Sequence, residues 1–152
     1  MNLPKYLPLP FTIIIAALFV YCGGGAGIGV TQIQLSGNPA IEFTKIPSYN
    51  SYDDLEGRVY NAEPDSFCVA VYIYVSGWWT KPYWIGPKTR IRKDRTWKCD
   101  VTTGGRDEKA TRLAAFLTPK AYNPPLMYGA IDLPEEIYQN SVAMVETKRV
   151  KK

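Results

Sequence analysis

Between residues 67 and 75 the chain reads Phe-Cys-Val-Ala-Val-Tyr-Ile-Tyr-Val, without a charge. Val69, Val71, Ile73 and Val75 fall on one side of an extended strand, and Ala70, Tyr72 and Tyr74 on the other. A strand apolar on both faces belongs in the middle of a sheet. Weaker alternation marks other strands. IEFTK begins at Ile41, and DLEGRVY places Leu55 and Val59 on a common face. KTRIRK and RTWKCDV flank Asp94 as a hairpin, and Trp97, alternating with Cys99 and Val101, is assigned to the core. KATRLAAFLTP has the Ala and Leu content of a helix, yet its neighbours are short strands with frequent turns, so a strand ending at Pro119 is expected. SVAMVETKRV is the last strand. DLPEEIYQN differs: a proline at a helix start and two glutamates in the first turn predict one or two helical turns. TTGGRDE and AYNPPLMYG read as loops, and Gly104 and Gly105 suit positive φ. About seven short antiparallel strands with one short helix near the C-terminus predict an all-β fold, an immunoglobulin-like β-sandwich over 41–150.

The N-terminus follows another pattern. One lysine precedes the run Phe11–Val20, which is uncharged and too short to span a bilayer comfortably as a helix. Residues 1–22 thus read as a secretory signal peptide, and export is expected. The run ends at Cys22 and GGGAG, resembling the lipobox of bacterial lipoproteins, in which the cysteine is acylated and becomes the new N-terminus. Phe19, Val20 and Tyr21 depart from the usual box, so a plainly secreted chain and an uncleaved anchor stay open beside lipidation at Cys22. Residues 23–40, rich in Gly, Ser, Asn and Thr, read as a flexible tether. The expected place is the bacterial outer membrane or cell surface, held by a lipid anchor, or otherwise the secreted fraction.

Charge changes the picture little. Of 18 basic residues, Lys5, Lys148, Arg149, Lys151 and Lys152 lie near the termini, and the remaining 13 stand against 14 acidic ones. The body is nearly neutral, so the net charge of +4 does not signal a nucleic-acid partner. Lys88, Arg90, Arg92, Lys93, Arg95 and Lys98 form a local row of cations. It reads as the solvated face of an edge hairpin or as a polyanion patch. The chain has no histidine, which removes His-based acid–base chemistry and most catalytic zinc sites. The acidic pairs Asp53–Asp54, Asp107–Glu108 and Glu135–Glu136 sit in turns or a helix start. They suit capping better than the two facing carboxyls that glycoside hydrolysis requires. A calcium site at Asp100 and Asp107 lacks an EF-hand pattern. No enzyme, cofactor or metal site is expected. Cys68 and Cys99, an even pair in an exported chain, are a disulfide candidate.

The sharpest feature is VSGWWTKPYW, residues 75–84, which holds three of the four tryptophans. Trp78 and Trp79 point to opposite sides of an extended segment, as do Tyr83 and Trp84. One ring of each pair is therefore expected in the core and one outside. Exposed rings there stack on the flat C–H faces of pyranose sugars, with Lys81 or Arg90 bonding hydroxyls. Trp78, Trp79, Lys81, Tyr83, Trp84 and Arg90 are the candidate ligand-binding residues. The rival reading is protein–protein contact, since Trp, Tyr and Arg also build hot spots.

The strand VAVYIYV, the loop GWWTKP, the segment W-x-C-D-V-T-T-G-G-x-D and AFL-x-P-x-x-Y-x-P-P together resemble a domain attached to secreted bacterial carbohydrate-active proteins, including glycoside hydrolases. The resemblance covers about two thirds of the chain. It implies an immunoglobulin-like β-sandwich accessory module without catalytic activity, and it transfers no ligand residue. Lys93-Asp94-Arg95 departs from it, standing where related sequences tend to carry Asp-Gly. The function expected is a non-catalytic cell-surface binding or adhesion module recognising polysaccharide. The alternative is a structural or protein-interaction lipoprotein of the envelope.

Overall fold

The computed structural model describes residues 37–150. The leader, the acylation expected at Cys22 and the tether up to residue 36 lie outside the described residues. Nine strands run β1 (Ala40–Lys45), β2 (Leu55–Tyr60), β3 (Phe67–Tyr74), β4 (Trp78–Lys81), β5 (Lys88–Arg90), β6 (Thr96–Cys99), β7 (Arg112–Pro119), β8 (Tyr128–Ala130) and β9 (Ala143–Lys148). A 3-10 turn, Asp107–Lys109, precedes β7, and the short helix α1 (Glu135–Gln139) follows β8. Two of these strands, β4 and β8, fall in segments expected to be loops. They pair with each other, so the aromatic loop and the proline segment are one added ribbon at the sheet edge.

The strands form a sandwich of two antiparallel sheets, one ordered β1-β2-β6 and one ordered β8-β4-β3-β7-β9, with β5 also paired to β3. Between them lie Leu55, Val59, Trp97 and Cys99 from the small sheet and Val69, Val71, Ile73, Leu113, Ala115 and Leu117 from the large one. The other faces of β3 and β7 form a second core: Ala70, Tyr72, Ala114 and Phe116 pack under Met127, Leu133 and Ile137 of α1. That second layer is why β3 is apolar on both sides. Tyr72 keeps its hydroxyl satisfied by donating to the Pro125 carbonyl at 2.9 Å, and burial raises its pKa. The helix expected at DLPEEIYQN starts directly after Pro134, with Glu135 and Glu136 in its first turn.

The segment around Asp94 is not a simple hairpin. β5 pairs with β3 in the large sheet and β6 with β2 in the small one. A single bridge, Ile91 to Trp97, links the two arms. Burial of both side chains draws the chain across the sandwich edge, and Asp94 holds the turn by accepting from the Thr96 amide at 3.0 Å and hydroxyl at 2.7 Å. The row of cations is thereby divided between two sheets. Lys98 pairs with Asp54 at 2.6 Å, and Lys88 donates to the Lys120 carbonyl at 2.9 Å.

Cys68 and Cys99 are both buried free thiols, so the disulfide candidate is not formed. The cause is strand parity. Cys99 points between the sheets, whereas Cys68 alternates with the inward Val69 and faces the other side of β3, beside Thr118 Oγ1 at 3.4 Å. Burial, only partly offset by the Thr89 hydroxyl, pushes the Cys99 thiol up to about 12. In native protein at neutral pH a thiol reagent should therefore label neither cysteine. In denaturant it should label both. Both thiols blocked in denaturant until reductant is added would contradict this arrangement.

Candidate functional site

β4 carries the site because its alternation sends successive rings to opposite faces. Trp78, 2% exposed, turns into the second core. It meets Tyr74 edge-on at 5.4 Å and lies under the Arg112 guanidinium, 4.7 Å from the ring centroid. The Glu146 carboxylate accepts from Arg112 Nε at 2.6 Å and fixes that cation in place. Trp78 is thus a structural ring and not a ligand contact. Thr80 follows it to the same side and accepts from the Met127 amide at 2.7 Å, joining β4 to the β8 segment.

Trp79 and Lys81 face the other way, into a cavity of about 480 Å³. Trp79 is half-buried. Its indole N–H donates to the Val75 carbonyl at 3.1 Å, and its ring passes so close to Gly129 that a Cβ there would lie 3.0 Å from it. The chain then turns through Pro82 to Tyr83, Trp84 and Ile85, a tip closed by the Gly86 amide donating to the Tyr83 carbonyl at 3.1 Å. Tyr83 and Trp84 are 55% and 52% exposed and both line the cavity. The expected split of one buried and one exposed ring therefore fails for this pair, because the segment leaves β geometry at Pro82 and strand alternation ends with it. Trp84 is steadied from behind by Tyr128 of β8, centroid to centroid 4.9 Å.

The opposite wall is Thr103, Gly104, Gly105 and Arg106. Gly105 takes a φ of 58°, the positive value its loop suggested. The two walls are latched where Thr103 Oγ1 donates to the Pro82 carbonyl at 2.5 Å. Lys81 is 5% exposed. Its amine is spent on Asp107 Oδ2 and on Thr103 Oγ1, the latter at 3.1 Å, so it builds the floor instead of offering a free cation to a ligand. Asp107 also accepts from the Gly104 amide at 2.8 Å. Asp100 accepts from the Thr102 amide at 2.8 Å and does not line the cavity. Arg90 is exposed on β5 opposite Cys68 and does not line the cavity.

The structure thus brings together Trp79, Lys81, Tyr83 and Trp84 of the sequence-predicted set and leaves out Trp78 and Arg90. It adds Ile85, Thr103, Gly105, Arg106 and Asp107. TTGGRDE signalled a turn, but nothing in its pattern tied it to a lysine more than twenty residues upstream. Comparison with protein-family models, with curated proteins and with solved structures finds no match to this chain.

Proposed function

We propose that this chain is an exported, lipid-anchored, non-catalytic binding module that takes the sugar rings of a polysaccharide at the aromatic cleft. The observation that carries the reading is the pair Tyr83 and Trp84, each about half exposed, side by side at the mouth of a cavity of about 480 Å³. Small-ligand clefts run about 300–1,000 Å³. Flat rings held rigidly at such a mouth, with polar backbone and Arg106 opposite, suit a ligand that has an apolar face and a hydroxyl edge. Among the lining residues one carboxylate is present, Asp107, and it is engaged by Lys81. Glycosidic cleavage employs two carboxyls flanking the bond, so the cleft favours holding over cutting.

Titration of the full chain with a panel of oligosaccharides should give a saturable change in tryptophan fluorescence for at least one glycan. Trp84→Ala should weaken that binding by about tenfold or more, the loss expected of a central aromatic contact. Its Tm should stay within about 2 °C of the parent, because the ring is half exposed. A flat response across the panel, with an envelope protein instead retained by the same surface, would transfer the site to protein recognition.

A further inference from the structure

The floor of the cleft holds an arrangement the binding role does not use. Lys81 and Asp107 touch through Nζ and Oδ2 with side chains 6% and 10% exposed. Desolvating two opposite charges is costly, and their attraction repays it only with further hydrogen bonds to the remaining protons and lone pairs. Here the supplements are few: Thr103 Oγ1 on the amine and the Gly104 amide on the carboxylate. Apolar groups of Val75, Trp79 and Pro82 line the rest. Both groups sit on fixed backbone. Lys81 is paired with Val71 of the central strand. The carbonyls of Asp107 and Glu108 are held by Arg149 Nη2, each at 3.2 Å.

We propose that Lys81 and Asp107 condense to an intramolecular amide, cross-linking β4 to the turn before β7. Transfer of one proton from Nζ to the Oδ2 it touches gives an amine and a carboxylic acid. Nζ then attacks Cγ of Asp107, the developing charge falls on Oδ1, and Oδ2, held by the Gly104 amide, is the oxygen that departs. The surplus amine proton passes directly from Nζ to the Oδ2 hydroxyl it touches, which leaves as water. One N–C bond forms, one C–O bond breaks and one water leaves. No oxidant, metal or second substrate enters. Fixed contact supplies the effective concentration that free lysine and aspartate lack. The product retains one N–H on Nζ and removes both buried charges.

This inference is independent of whether the cleft takes glycan. Intact mass spectrometry of the purified full chain, with the N-terminus read by fragmentation of the same sample, should find protein lighter than its sequence by one water. Proteolysis should yield a branched peptide joining residue 81 to residue 107. Lys81→Arg and Asp107→Ala should each restore the full sequence mass. Any fraction of the parent carrying the branched peptide supports the link. A parent of full mass without it, after prolonged incubation of folded protein, establishes an ordinary buried ion pair and overturns the proposal, and that readout holds even where a variant does not fold.

Discussion

Gly57→Ala is expected to destabilise the fold by about 3 kcal/mol, the upper part of the usual range for overpacking a core. β2 is the central strand of the small sheet, with Leu55 and Val59 turned inward on either side of Gly57. In the ladder Gly57 stands opposite Trp97, and the indole fills the space where a Cβ would go. A Cβ there would sit 2.3 Å from Trp97 Cζ2 and 2.3 Å from the Glu42 carbonyl oxygen. Neither neighbour yields easily. The carbonyl belongs to the β1 ladder, and the ring is fully buried against Phe43 at 6.0 Å. Urea unfolding followed by circular dichroism should show the midpoint falling with little change in slope. The double variant Gly57→Ala with Trp97→Phe should recover part of the loss, since a smaller ring makes room and the indole N–H has no partner to forfeit. A single variant within about 0.5 kcal/mol of the parent would mean that the indole relocates, and the packing described here would be wrong.

The same strand parity explains what the sequence disclosed and what it withheld. Alternation identifies β3 as central and Trp97 as core, because each of those facts concerns which side a residue faces, whereas β7 is legible as a strand, in spite of its alanines, only from the short strands and turns around it. Parity is local, and the chain writes it plainly. Partnership is not local. Nothing in GWWTKP says that it pairs with Tyr128–Ala130, almost fifty residues on, and that pairing turns an expected loop into β4 and buries Trp78. The cysteine pair failed for a related reason: both lie in strands, but on faces that never meet. Lys81 was read as a ligand contact from the company it keeps in sequence, whereas its fate was set by Asp107, delivered by a distant turn. The four residues of the cleft that were legible are those whose aromatic or cationic character marks them in any context. Glycines and threonines that complete it carry no such mark.

Arg149→Ala is expected to cost about 3 kcal/mol or more, on the scale of removing several charge-assisted hydrogen bonds from buried carbonyls. Charge counting places this residue with the basic termini, yet it is 6% exposed. All five N–H groups of its guanidinium are spent on backbone: Nε on the Ala110 carbonyl at 2.7 Å, Nη1 on Pro47 and Ser48 at 3.4 and 3.1 Å, and Nη2 on Asp107 and Glu108. Among the described residues it pairs with no carboxylate, and burial lowers its pKa. One side chain thus ties the end of β9 to the loop after β1 and to the turn that presents Asp107. With stability changing Tm by roughly 4–8 °C per kcal/mol in a domain of this size, the alanine variant should melt lower by about 10 °C or more. Arg149→Lys should recover a fraction only, because a compact ammonium with three donors does not span five acceptors. The loss should also reach the cleft. Without the clamp the turn that carries Asp107 loses its anchor, so tryptophan fluorescence of the folded variant should shift through Trp79 before the global transition begins. A variant melting within about 2 °C of the parent would show that water replaces the guanidinium at little cost, and the clamp would then be decoration on a fold already closed by its ladders.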